Sequence, residues 1–173
     1  GSDDGNQNEC GYPDNVDNWF VTFTSSFQTD QFQYNPSVGW FTPHDSFGVW
    51  APWTTYLYGV DEFVPHLVQN WEDQDGSMVL TMSEEFTWGS GDPITAEDLV
   101  LQMEIEKAES DPVWDYISSV EATGEYELTV EYGSSNPDFV KYTLLGRNAE
   151  YPPSVWEDAE WEDSPAEIEI TEP

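Results

Sequence analysis

Cations, cysteines and long apolar runs are what this sequence lacks. Against 36 Asp and Glu stand only Lys107, Lys141 and Arg147, for a formal net charge of −33. Three cations cannot neutralise a phosphate backbone, so nucleic acid is excluded as a partner. An anionic membrane surface is excluded on the same grounds. Cys10 is the single cysteine, which rules out an intrachain disulfide and a cysteine-bound metal cluster. No apolar run approaches the ~20 residues that span a bilayer, and no signal peptide is visible. Gly1-Ser2 resembles the scar of a removed tag, as expected of a piece trimmed from a longer chain.

What is present is aromatic. Nine Trp, nine Tyr and nine Phe in 173 residues, within 38% hydrophobic content, supply enough apolar surface for one ordinary domain with a real core. Disordered acidic tails are poor in such residues. The acid excess is spread along the whole chain, which opposes compaction in dilute buffer. At an ionic strength of about 1 M the Debye length falls to ~3 Å and most of that repulsion vanishes. The pattern is that of a surface adapted to molar salt. An acidic mimic of nucleic acid would have no need of so much Trp.

Local patterning divides the chain. Residues 1–18 are polar and rich in Asp, Asn and Gly, as a flexible linker is. Trp19 to Phe27 alternates as a strand does, and Asn35-Pro36 ends that region. A Gly- and Pro-interrupted aromatic loop follows from Ser37 to Trp53. The run VLTMSEEFTWGSGDP has strand content and closes in a Gly/Pro turn, directly before Thr95-Ala-Glu-Asp98, a capping box that starts a helix at about Ala96. Leu99, Val100 and Met103 share one face of this helix and Ile105 does not, so burial on two sides is one outcome and partial exposure the other. Tyr126, Leu128, Val130 and Tyr132 alternate with Glu and Thr as a half-buried strand, joined to the SSVEA run through Thr123-Gly124 as a hairpin. Asn136-Pro137 opens a second helix and Gly146 stops it. After Trp156 the chain becomes an acidic tail with an end that looks cut.

No chemistry of catalysis stands out. With 36 carboxylates and many aromatics, no pair is singled out for glycoside hydrolysis. There is no nucleophile elbow, and His44 and His66 are too far apart for a zinc-type pair. Asp73-x-Asp75-Gly76 begins like a calcium loop but lacks the later ligands, so it is an exposed turn. The expectation is a non-enzyme without metal or cofactor.

The order of motifs resembles that of the family-5 extracellular solute-binding proteins, the dipeptide- and oligopeptide-binding components of ABC importers, here of haloarchaeal type. Phe63-Val-Pro-His-Leu-Val-Gln-Asn-Trp-Glu72 is similar to the family's "proline, x, leucine-alanine, x, x, tryptophan-glutamate" signature. The stretch from Ser77 to Leu101 resembles its strand and "threonine-alanine-glutamate-aspartate" helix start, and Val120 to Val130 its next hairpin. Gln33-Tyr-Asn-Pro36 and Leu57-Tyr-Gly59 resemble two earlier landmarks, a strand end and a "leucine-tyrosine-glutamate-glycine-leucine" helix. Ser83-Glu84-Glu85 replaces a usual cation, and Ser90-Gly91 a usual aspartate-glycine.

The resemblance implies an α+β fold, a small mixed or antiparallel sheet with two or three helices, as part of a two-lobed periplasmic-binding-protein-like architecture. Full members are much longer, so this chain is expected to be an N-terminal fragment: a linker over 1–18, the first strand of the large lobe over 19–36, the small second domain over 37–156, and the acidic tail over 157–173. Without its home sheet, the strand Trp19–Phe27 is expected to fray or to pair with a neighbouring molecule. The implied function is extracellular capture of a peptide or similar small solute for a membrane ABC permease, with Trp40, Phe41 and His44 of the aromatic loop as ligand contacts. The implied address is the cell surface through a lipid anchor, although Cys10 lacks the small apolar residues that precede such an anchor. The rival reading is a carbohydrate-binding or surface adhesion module, expected as a β-sandwich without helices near 96–108 and 137–145. Far-ultraviolet circular dichroism from low salt to about 3 M KCl is expected to show helix and strand signal growing as charge is screened; a strand-only spectrum indifferent to salt would overturn both the charge reading and the resemblance.

Overall fold

Strict alternation from Tyr126 onward places the central strand. The computed structural model describes residues 51–133 and 136–168. Strand β7 (Glu127–Tyr132) buries Leu128 and Val130 and turns Glu127 and Glu131 to solvent. On one side it pairs with β6 (Ile117–Gly124), with Val120 opposite Val130 and Ala122 opposite Leu128, which is the hairpin expected through Thr123-Gly124. On the other it pairs with β5 (Ser77–Met82), with Met78 opposite Val130 and Leu80 opposite Leu128. Strand β4 (Val68–Gln74) completes an antiparallel sheet of order β4-β5-β7-β6. Of Asp73-x-Asp75-Gly76, Asp73 ends up in strand β4 and only Asp75-Gly76 form the β4–β5 turn, whose glycine sits at φ +95, a left-handed conformation that favours Gly. Asp73 accepts a hydrogen bond from the Tyr132 hydroxyl.

Helix α1 (Ala96–Ala108) starts at the expected capping box: Asp98 accepts from the Thr95 amide at 2.9 Å, and Glu97 and Asp98 sit at the positive end of the helix dipole. Leu99 and Met103 join the main core with Met78, Leu80, Leu128 and Val130. The odd position of Ile105 is resolved by a second cluster behind the helix, where Ile105, Tyr151 and Trp156 are buried with Leu101, Trp161 and Ile168 against them. Part of the acidic tail is therefore packed: Trp161 and Ile168 lie against the cluster of Ile105, Tyr151 and Trp156, while Glu157, Asp158, Glu160, Glu162 and Asp163 face water.

Helix α2 (Pro137–Leu145) has Asn136 as its cap, accepting from the Phe139 amide, and ends at Gly146 as expected. Past it, β8 (Asn148–Ala149) pairs antiparallel with β1 (Ala51–Pro52), and the one-turn helix α3 (Pro153–Trp156) follows. The fold is α+β, and α1 and α2 exclude the helix-free sandwich expected of the rival reading.

The helix expected at Leu57-Tyr58-Gly59 is not formed. Leu57 ends strand β2 (Thr54–Leu57), and Tyr58 and Gly59 lie in the turn to β3 (Glu62–Pro65). The β-prone Thr54, Thr55 and Tyr56 find partners across the hairpin, with Tyr56 opposite Phe63 and their ring centroids 4.8 Å apart. Leu57 O closes the turn by accepting from the Val60 and Asp61 amides at 3.1 and 2.9 Å. Between Pro52 and Pro65 there is little room for a stable helix.

The three cations have three environments. Lys107 is exposed, 3.3 Å from Glu104 and 4.1 Å above the Trp114 ring. Lys141 is half-buried and makes no ion pair among the described residues. Arg147, with an 11% exposed side chain, donates through Nη1 to Glu106 and through Nη2 to Asp111 at 2.9 Å. Gln102 completes the network, donating to Glu106 and to the Asn148 carbonyl, both at 2.9 Å, and accepting from the Glu150 amide at 3.1 Å.

Burial raises the Glu106 carboxyl to about 7; Arg147 and the Gln102 amide oppose that shift and Asp111 adds to it. A carboxyl whose pKa rises on folding holds its proton more tightly in the native state. Its contribution to stability is complete below the ordinary 4.5 and is lost as pH climbs through about 7. Denaturant midpoints at constant molar salt are expected to fall between about pH 5 and about pH 8, and Glu106→Gln, neutral throughout, is expected to lose that component. Arg147→Ala strands two carboxylates and is expected to cost about 3–5 kcal/mol.

Candidate functional site

The Gly/Pro turn after the tryptophan strand builds one wall of an open cleft. Within this loop Thr87 bridges to Pro93, the Trp88 amide donates to Asp92 O at 2.8 Å, and Gly91 donates back to Trp88 O at 2.9 Å from φ +93. The loop is thereby a closed unit rather than a loose excursion. The Trp88 indole is fixed as well, because its Nε1–H donates to Asp98 Oδ2 at 2.9 Å. That carboxylate oxygen also accepts from the Thr95 amide, so one residue starts α1 and holds the loop's aromatic ring.

Opposite Trp88 stand β1 and β8 with Ala51 and Ala149, and the entry to α3 with Pro152, Ser154 and Val155. Ile94, Thr87, Gly89 and Ser90 complete the lining of a cleft of about 320 Å³. Among the described residues no charged side chain lines it, in a chain carrying 36 carboxylates. Its polar side-chain groups are the hydroxyls of Thr87, Ser90 and Ser154; Ser90 donates to the Asp92 carboxylate at 2.8 Å and accepts from the Asp92 amide at 3.4 Å, which leaves it one lone pair. A mostly apolar concavity with a few convergent hydroxyls is the form of a small-solute site. It holds no nucleophile, base or acid pair. Among the described residues no group of three His, Cys, Asp or Glu is arranged to hold a metal ion, and no helix is long and apolar enough to cross a membrane.

The expected contacts Trp40, Phe41 and His44 lie outside the described residues. The loop that carries them leads directly into the cleft wall, since its last residues form β1 with Ala51 in the lining. Trp53, at the end of the same loop, belongs to the core: it is fully buried, and its amide donates to Arg147 O at 2.8 Å. Trp88, Ser154 and Val155 were not expected as site residues. The only local signal for the first was a tryptophan followed by the punctuation Gly-Ser-Gly-Asp-Pro, and the other two arrive through the β8 connection.

A separate aromatic cluster ties the β2–β3 hairpin to α2. Tyr56 packs on Tyr58, Phe63 and Tyr142 with centroids 4.7, 4.8 and 5.3 Å away. Asp61 accepts from the hydroxyls of both Tyr56 and Tyr142, and this hydrogen bond raises the Tyr56 pKa above its ordinary value. These contacts hold the hairpin in place and leave Leu57, Tyr58, Val60 and Val64 exposed.

Asp98→Ala removes both the helix cap and the anchor of Trp88. It is expected to destabilise the chain by about 1–2 kcal/mol and to reduce the near-ultraviolet dichroism of the indoles. A fall in stability with an unchanged aromatic spectrum would show that the ring is held by packing instead.

No family model matches the chain, and no curated protein sequence matches it. Solved structures do. A mannohexaose-bound periplasmic oligopeptide-binding protein of an oligopeptide ABC transporter from Thermotoga maritima is 27% identical, with a TM-score of 0.66 over 76% of this chain and 25% of its own. The oligopeptide-binding protein AppA from Bacillus subtilis, in complex with a nonapeptide, is 17% identical, with a TM-score of 0.56 over 66% of this chain and 24% of its own. NikZ from Campylobacter jejuni, in complex with Ni(L-His), is 19% identical, with a TM-score of 0.56 over 78% of this chain and 28% of its own. The last two likenesses concern the fold alone. These neighbours are binding proteins rather than enzymes, and the chain spans about a quarter of the length of each.

Proposed function

We infer that the chain is part of a protein that captures a peptide or similar small solute outside the cell and delivers it to an ABC permease in the membrane. The observation that carries this reading is the fold shared with the Thermotoga maritima binding protein over three quarters of the chain, at 27% identity. The uncharged cleft supports it, being shaped for a solute and lacking catalytic groups. In this reading residues 37–156 are the small second domain of a two-lobed protein and 157–173 its acidic tail, of which Trp161 and Ile168 pack on the cluster of Ile105, Tyr151 and Trp156. Residues 19–36 supply the first strand of the large lobe, and Trp40, Phe41 and His44 face the solute from the loop that enters β1. The whole protein works at the surface of a halophile, held there by a lipid anchor, and performs no catalysis.

Two-lobed proteins hold ligand by closing one lobe on the other, so one domain alone binds weakly. The decisive test is transport. Cells in which the gene is deleted are expected to lose uptake of one solute class and to regain it on complementation. Unchanged uptake of peptides, oligosaccharides and chelated metal alike would overturn the reading.

A further inference from the structure

We propose that the cleft between the Trp88 loop and the β1–β8 ribbon is a subsite for one uncharged pyranose ring of the captured solute, packed on the Trp88 indole. This rests on the capture reading and narrows its solute to a neutral oligosaccharide.

Charge decides first. A free peptide terminus or a metal chelate brings charge into a site, and a desolvated charge needs a partner there. Every described residue of the lining is neutral, although acidic residues dominate the chain. Hydrogen bonding decides next. An apolar peptide side chain would cover the hydroxyls of Thr87 and Ser154 without offering them partners, a mismatch that costs far more than a missing methylene. Sugar hydroxyls both donate and accept, as Thr87 and Ser154 do, and Ser90, which donates to the Asp92 carboxylate and accepts from its amide, keeps one lone pair as an acceptor.

Shape completes the match. A pyranose presents a flat C–H face to an aromatic ring, and Trp88 is a ring already immobilised by Asp98, so little freedom is lost on stacking. Ala51, Gly89 and Ala149 keep the space beside it open. At about 320 Å³ the cleft lies at the small end of ligand sites, which suits one ring of a longer chain rather than the whole solute.

Gly89 provides the test. A Cβ built there meets no heavy atom within 4 Å, and its φ is not in the left-handed region, so Gly89→Leu adds bulk to the cleft lining without straining the loop. The chain would be titrated in molar KCl with mannohexaose and, separately, with end-capped hexa-alanine, following saturation-transfer NMR and calorimetry. Millimolar binding of the sugar, none of the peptide, and about a tenfold weakening by Gly89→Leu with an unchanged far-ultraviolet spectrum is the expected result. Binding of the peptide alone, weakened by the same substitution, would overturn the sugar assignment while leaving solute capture standing. Sugar binding indifferent to Gly89→Leu would place the site elsewhere and overturn the proposal, as would no binding of either probe. Loss of the capture reading would appear separately, in unchanged uptake by the deleted strain.

Discussion

The guanidinium of Arg147 is the point at which separate parts of the chain are made to meet. It reaches Glu106 on α1 and Asp111 just beyond that helix, while its backbone carbonyl accepts from Trp53 beside β1 and its amide closes the end of α2. Gln102 extends the same network to Asn148 and Glu150 around β8. The β1–β8 ribbon has only two residues in each strand, too little pairing to persist alone. It is held because these polar groups fix its flanks, and the cleft wall it forms inherits that position. Buried ion pairs are poor sources of net stability, because desolvation offsets much of their attraction. Their value here is geometric, since Nη1 and Nη2 of the chain's single arginine meet both carboxylates in one arrangement, while its buried Nε has no hydrogen-bond partner among the described residues.

The acid excess and the core follow independent rules. Glu, Asp and Thr occupy the open face of the sheet and the exposed stretches of the C-terminal segment, while the interior is ordinary Leu, Met, Val, Ile and Trp. The neutral cleft is an exception on that surface, a place where the general acidity has been kept out.

Local signals were legible where a side chain speaks to its own backbone. Thr95 and Asp98 mark the start of α1, Asn136-Pro137 and Gly146 bound α2, and alternation from Tyr126 to Tyr132 sets the central hairpin. The misplaced Ile105 left burial on two sides and partial exposure both open, and the structure takes the first. What escaped reading was decided across the chain. Leu57-Tyr58-Gly59 carries no cap and turns into a hairpin because Phe63 and Tyr142 lie opposite Tyr56. The cleft joins residues from before β2, after β5 and after β8, and no local period announces such a convergence. Arg147 was visible as a rare cation, but its two carboxylate partners could not be chosen among so many.

The two-sided burial of α1 also sets an order of events. Its first face can be covered by β6 and β7, which follow closely, and hairpins of this kind close early. Its second face waits for Tyr151, Trp156, Trp161 and Ile168. During synthesis on the ribosome those residues emerge seconds after the helix itself. For that interval Leu101 and Ile105 form an uncovered apolar stripe on a nascent chain, a handle for chaperones that disappears once the C-terminal segment docks.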